Sequence, residues 1–238
     1  MSENEASMED AAKVIVARAV QRFRAFQSEV HAETDRIFLK LLLAEWAFGI
    51  VLSLWLSPYA WEGKSRSVHV HVWAALGLGG LLCSLPTFLI LTQAGKPITR
   101  HVVAVAQMLM SALLIHLTGG RIETHFHVFG SLAFLAFYLD WRVLLTASIT
   151  VAVEHGLRGM LWPESIYGIT NPEWWRFLEH SAWVLFCVTF LVRHCVVTLR
   201  SWLRFAEEGG MLEALAESEW RERSVLERAT STLPGAAE

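Results

Sequence analysis

Six long apolar runs, separated by short polar or Gly/Pro breaks, follow an amphipathic start in this 238-residue chain. Near the beginning, Val16, Ala19, Val20, Phe23, Phe26 and Val30 recur on one helical face, while Lys13, Arg18, Arg22, Arg24 and Glu29 fall elsewhere. That spacing predicts an amphipathic cytoplasmic helix over 1–36, able to lie on a membrane surface or pack on a partner helix. The apolar runs cover about 37–60, 68–94, 98–117, 122–139, 143–162 and 174–203. Each is near the length of about 20 residues that a spanning helix needs. Their breaks are turn-formers: Gly95, Lys96 and Pro97; Gly119 and Gly120; the "DWR" of Asp140 to Arg142; and a loop holding Pro163, Gly168 and Pro172. The fold predicted is all-α, a six-span membrane helix bundle over 37–203.

Beyond the sixth run, "WLRFAEEGGMLEALAESEWRERSVLERA" keeps a helix-forming composition with charges added. Leu203, Met211, Leu212, Leu215, Trp220, Val225 and Leu226 form a broken apolar stripe. A cytoplasmic signalling helix over 204–230 is expected, paired with a second copy to give a homodimer, with Gly209 and Gly210 as a hinge. The ending "STLPGAAE", 231–238, is expected to be a disordered tail.

Basic residues orient the bundle. Lys13, Arg18, Arg22, Arg24, Arg36 and Lys40 precede or open span one, Lys96 and Arg100 stand between spans two and three, Arg142 follows span four, and Arg193, Arg200 and Arg204 close span six. With six spans these all fall on one side, which predicts cytoplasmic termini and a multi-pass protein of the bacterial inner membrane. Trp61, Trp73, Trp162, Trp174 and Trp175 then form an outer belt, with Trp141 and Trp202 at the inner face.

Composition narrows the function classes. A hydrophobic share of 54% is too concentrated for an ordinary soluble core and makes the lipid bilayer the first partner. The net charge of -3, with no basic stripe beside stacking aromatics, gives nucleic-acid binding no support. The acidic start "MSENEASMED" does not read as a cleaved signal peptide. Cys83, Cys187 and Cys195 lie inside apolar runs without metal-finger spacing and read as buried thiols.

On this topology seven of the ten histidines share the outer leaflet: His69, His71, His116, His125, His127, His155 and His180. Ionisable groups at membrane depth cost about 2.5–3.5 kcal/mol each on insertion scales, so they tend to face a bundle interior and serve a function. Imidazoles suit Cu, Fe or Zn, and helix bundles build metal sites from side chains on facing helices. His125, His127, His155 and His180 are the first candidate ligands, with Glu123, His71, His69 and His116 behind them. Glu123 stands four residues before His127 and shares its face if the helix opens at Ile122. His125 and His127 point about 200° apart on a helix, so they do not chelate together.

Plainer roles compete. Glu154 pairs with Arg158 at i,i+4, Arg176 serves Glu179 or stacks on Trp175, His116 caps a helix end, and His69 and His71 sit wet at the interface. A haem b held by two histidines is the alternative cofactor. Ala74, Gly77, Gly79, Gly80 and Gly130 leave room for a ring, or serve plain helix packing. No C-x-x-C-H occurs, so covalent haem attachment is excluded. A membrane di-metal oxidase or hydroxylase would want repeated His motifs, which the chain lacks, so an enzyme is the lesser expectation.

The stretch "GGRIETHFHVFGSLAFLAFYLDWRVLL", with "VEHGLRG" and "WPESIYG", resembles an integral-membrane sensory domain of bacterial receptors. In those proteins it precedes chemoreceptor, histidine-kinase or cyclic-dinucleotide modules. The resemblance covers about 37–205. It implies a sensing module whose last helix carries a signal to a cytoplasmic signalling module or partner. Residues to Glu238 leave no room for such an output module, so the output is expected in a separate partner or in further sequence.

Overall fold

The computed structural model describes residues 3–231, with side chains from 13 to 225 and at 227. The segment 232–238, most of the expected tail, lies outside the described residues. About 85% of the described residues are helical, in keeping with the all-α expectation. Helix α1 runs Glu3–Leu56 and is followed by a hairpin of β1 (Tyr59–Glu62) and β2 (Ser65–Val68). Helix α2 (Val70–Trp73) passes through a π-helical turn (Ala74–Leu78) into α3 (Gly79–Gln93). Then come α4 (Pro97–Leu117), α5 (Ile122–Leu135) with a 3-10 extension (Ala136–Tyr138), α6 (Trp141–Leu161), the short α7 (Glu164–Tyr167) and α8 (Arg176–Ser231).

The breaks read in the sequence end helices for identifiable reasons. Pro97 opens α4, where its missing N–H costs nothing. The Asp140 carboxylate accepts the Arg142 N–H at 3.1 Å and caps α6. Gly120, at φ 75°, ends the α4–α5 turn. A Cβ there would stand 2.4 Å from the Gly168 nitrogen, so only glycine lets the two loops meet.

Three expectations are corrected. Amphipathic start and first span are one unbroken helix, because nothing between 8 and 56 breaks helical geometry. Residues 59–68 are an antiparallel hairpin and belong to neither span, with Tyr59 opposite Val68 and Glu62 opposite Ser65 across a turn at Gly63. Gly209 and Gly210 do not interrupt α8, which runs helically through both.

Among the described residues, four helical stretches are long and apolar enough to cross a membrane: Lys13–Leu56, Val70–Gln93, Pro97–Leu117 and Arg176–Val225. The other two expected spans fall short of that standard. Helix α5 has 14 residues, about 21 Å at 1.5 Å per residue, against a hydrocarbon core of about 30 Å. Helix α6 has the length, but Glu154, His155 and Arg158 dilute its apolar character.

The chain divides into two compact units. One joins Met1–Gln27 to Thr198–Glu238. In it, Arg18 pairs with Glu217, Arg22 with Glu213, and the Phe26 ring meets Trp202 edge-on at 4.9 Å. Rising numbers on α1 meet falling numbers on α8, so the two helices run antiparallel. Gly210 lets Ile15 and Ala19 approach α8 closely.

The larger unit is Ser28–Val197, and α4 is its centre: 67% of its apolar window is buried, against 11% for α8. Leu42, Ala75, Cys83, Ala106, Met110, Leu113 and Leu117 form one core cluster. Beside it the π-helical turn frees a backbone carbonyl, and Trp46 Nε1 donates to Ala75 O at 3.0 Å. The Trp46 indole fills the place a Gly79 Cβ would need, 2.6 Å away, so this glycine serves helix packing and not a haem ring.

One end of the unit is tied by polar bonds. Asp35, fully buried, accepts from the Tyr138 hydroxyl and the Gly95 N–H, each at 2.6 Å. Arg100 pairs with Asp140 at 2.9 Å and reaches His31 Nδ1 at 3.3 Å, while His31 Nε2 bonds Tyr138 O at 3.0 Å. These contacts join α1, the α3–α4 turn and the α5–α6 turn. Tyr138→Phe keeps the stack on Phe38, with centroids 5.6 Å apart, and leaves a buried carboxylate oxygen unbonded. A loss of about 1–3 kcal/mol is expected. Thermal unfolding in detergent measures it, and an unchanged midpoint would refute the tie.

Candidate functional site

Helix α5 carries His125 and His127 on opposite sides, and the structure sends them to different places. His125 meets two other imidazoles, with centroids 5.7 Å from His155 on α6 and 5.4 Å from His180 on α8. All three line one cavity of about 330 Å3 with Val128, Phe129, Val151, Phe177 and Val184. A second cavity, about 470 Å3, shares His125, Phe129 and His180 and adds Phe126, Trp183 and Phe186. Apolar walls thus surround a few imidazole nitrogens.

The helices themselves fix two of these rings. His125 Nδ1 lies 2.9 Å from Arg121 O and His180 Nδ1 lies 2.8 Å from Arg176 O, each four residues back. A carbonyl only accepts, so Nδ1 carries the proton and Nε2 holds the lone pair in the neutral ring. His125 Nε2 is buried with no hydrogen-bond partner. His155 Nδ1 sits 2.6 Å from Glu154 Oε2, a close contact without hydrogen-bond alignment. Metal-binding histidines are held in this same way, with the second nitrogen fixed by a carbonyl or carboxylate. The Tyr167 ring packs edge-on to His180 at 5.6 Å. Burial raises the Tyr167 phenol above its ordinary value, so it stays a neutral hydroxyl.

Glu154 has the partner expected from the sequence: Arg158 Nη1 lies 2.7 Å from its Oε1. That guanidinium also donates to Ala112 O at 3.0 Å and Ser165 O at 2.8 Å, tying α6 to α4 and to the start of α7.

The other expected ligands fall outside the three-imidazole cavity. His127 faces α1, with Nε2 3.0 Å from Glu45 Oε1 and Nδ1 2.9 Å from Ser111 Oγ. Both its nitrogens are engaged, so it has no free lone pair for a metal. Glu123 is exposed, and the acid that partners His127 is Glu45. The shared face read from i,i+4 spacing exists, but α1 covers only the His127 end of it. His69, His71 and His116 form a separate row, with centroids 4.4 Å and 4.9 Å apart, ending edge-on at Trp162. Within that row His69 Nδ1 accepts the His71 N–H and caps α2, and His116 Nδ1 lies 3.0 Å from Ser165 Oγ, not at a helix-end carbonyl. Arg176 pairs with Glu173 at 2.7 Å, which leaves Glu179 exposed.

Among the described residues, no group of three or more His, Cys, Asp or Glu side chains is disposed to hold a metal ion. The eight candidates thus separate: His125, His155 and His180 share one cavity, His69, His71 and His116 form a row, His127 faces α1, and Glu123 is exposed. The physical reason is local: bonds to carbonyls one turn back, or to a neighbouring helix, set each ring's direction before any shared centre can.

Sequence reasoning missed Glu45, Gln107, Ser111 and Ser131, which surround His127. Gln107 Nε2 donates to Glu45 Oε1 at 2.7 Å and to Ser131 Oγ at 3.0 Å. Gln107 and Ser111 are completely buried. The signal was available as polar residues inside apolar runs, set apart from any turn.

No family model matches the chain, and no solved structure matches it. Over 132 residues, 54% of its length, the chain is 32% identical to the transducer protein Htr8 of Halobacterium salinarum. The match covers 20% of that protein, so the chain spans about a fifth of the curated relative.

Removing the Arg158 guanidinium should strand Glu154 and two carbonyls. Arg158→Met is expected to cost about 3 kcal/mol, and the double variant with Glu154→Gln clearly less, since the unpaired charge goes with it. Unfolding midpoints of the wild type, both single variants and the double variant close the cycle. Additive losses would dismiss the coupling.

Proposed function

We propose that the chain is a membrane-embedded sensory module in which the cavity between α5, α6 and α8 receives the stimulus and α8 reports it. The observation that carries this reading is that three imidazoles from three helices line one apolar cavity, one of them on the helix that continues unbroken to Ser231. Similarity to a transducer protein over 54% of the chain supports a signalling role of the chemoreceptor kind. In this reading all six apolar segments lie in the bilayer and both termini are cytoplasmic. The shorter α5 and the more polar α6 are shielded from lipid by the helices around the site. The signal leaves toward a cytoplasmic partner, from a homodimer.

The ligand proposed is a transition metal (Cu, Fe or Zn) or a metal cofactor. Rings whose Nδ1–H is fixed leave Nε2 lone pairs for an electron-pair acceptor, and the unpartnered His125 Nε2 is the atom most in need of one. Haem b is the variant favoured by the second cavity, whose apolar walls adjoin the first at His125, Phe129 and His180.

Protein purified from membranes without chelator is expected to carry about one metal centre per chain. His125→Ala should lower that content by at least tenfold and His127→Ala should not. Elemental analysis reads the first quantity, and a Soret band separates haem from a bare ion. A colourless, metal-free protein that takes up neither ion nor haem would end the metal reading. Equal loss from both variants would move the site elsewhere.

A further inference from the structure

The two cavities beside α5 adjoin at His125, Phe129 and His180, and together they have room for a ring with part of a chain attached. Rings make up most of the second cavity's wall, with Phe126 and Phe129 from α5 and Trp183 and Phe186 from α8. Three of these also lie on the surface of the bundle: Phe126 is 69% exposed, Trp183 59% and Phe186 59%. Along α8 they continue as a ladder, with Trp183 and Phe186 centroids 6.1 Å apart and Phe186 and Phe190 5.1 Å apart. With α8 spanning the bilayer, such a rim meets acyl chains and not water, so the second cavity opens sideways toward lipid. Of its lining residues only Glu179 carries a fixed charge, and that side chain is exposed near the start of α8.

The polar atom at the junction of the cavities selects among apolar ligands. His125 is only 6% exposed, lines both cavities, and has a buried Nε2 without a hydrogen-bond partner. Its Nδ1–H is spent on Arg121 O, so in the neutral ring Nε2 accepts and cannot donate. His180, the other imidazole shared by the cavities, is set the same way by Arg176 O. A ligand that carries only carbonyl oxygens would face these lone pairs with nothing to give. A ligand with a hydroxyl on its ring would satisfy the buried nitrogen, which otherwise stays desolvated and unbonded.

We infer that the adjoining cavities bind a lipid-soluble quinol, the reduced form of a quinone, in preference to the quinone itself. Its hydroxyl donates to His125 Nε2, its ring lies among the aromatic side chains of α5 and α8, and its tail leaves past Trp183 and Phe186 into the bilayer. This inference rests on the reading of the cavity between α5, α6 and α8 as the stimulus site, and not on the metal. An ion on His125 Nε2 and a hydroxyl bonded to it exclude one another, and a haem would fill the second cavity itself. The quinol is therefore the ligand of the metal-free chain, and its binding follows the reduced fraction of the quinone in the membrane.

The test uses the full chain in lipid nanodiscs, stripped of metal with chelator and kept anaerobic. The unfolding midpoint is followed against a short-tailed ubiquinol, the matching ubiquinone, and decanol, a hydroxyl without a ring. A saturable rise with the quinol is expected, with the quinone and decanol about tenfold weaker or inactive. His125→Phe keeps a ring, removes the lone pair and should abolish the preference for the quinol. Trp183→Ala, at the exposed rim, should weaken quinol binding but keep the preference, which serves if His125→Phe does not fold. Quinol and quinone acting alike, decanol matching the quinol, a preference that survives His125→Phe, an unaffected Trp183→Ala, or no response at all would overturn the inference. Metal content before stripping is read separately. A metal-loaded chain that ignores quinol once stripped rejects the quinol and leaves the metal, and a metal-free chain that binds quinol does the reverse.

Discussion

A carboxylate inside a bundle of apolar helices has to find its partners on other helices, and the register of this bundle follows from that requirement. Three acids do this at three levels. Asp35 binds the α3–α4 turn and Tyr138, Glu45 binds α4 and α5, and Glu154 holds the arginine that reaches α4 and α7. Asp35 and Glu45 stand ten residues apart on α1, about 15 Å along a helix. Apolar packing alone tolerates sliding of one helix on another. Bonds at levels that far apart admit one register, because a slip of one turn would break them together.

Helix α4 joins all three levels, which explains why it is the most buried. Its first turn holds Arg100, its middle Gln107 and Ser111, and its later turns the Ala112 carbonyl and His116. The helices around it differ in how firmly they are held. Helices α1, α5 and α6 are fixed by charged or amide contacts across to a neighbour. Within the larger unit α8 is attached by ring packing at His180 and by a long thiol contact from Cys195 to Ala136 O at 3.8 Å.

The apolar runs and the glycine and proline breaks placed the helices to within a few residues, because hydropathy and turn chemistry are local. The same local pattern disclosed that His125, His155 and His180 belong to a bundle interior. It did not disclose that His127 belongs to a different interior, since that depends on α1 lying against α5. Attention to histidines alone also passed over Asp35, just before the first apolar run, and Glu45 and Gln107 inside apolar runs. The hairpin at 59–68 was legible in principle: Glu62, Gly63 and Lys64 between Trp61 and Arg66 carry a turn with strand residues on both sides. It was absorbed into the neighbouring apolar runs because Tyr59, Trp61 and Val68 raise their hydropathy.

The contrast between well-tied helices and α8 bears on how a signal would travel. A ligand shifts a conformational equilibrium only by the difference in its interactions with the two states. In the larger unit α8 contributes His180 to the cavity and few other polar bonds, so a ligand bridging His180 to His125 or His155 would add a large fraction of that helix's specific contacts. The same ligand touching α4 would add little to a helix already held at three levels. A stimulus in this cavity, as proposed, would therefore act most strongly on α8, and the firm network around Asp35, Glu45 and Glu154 would give that helix a fixed body to move against.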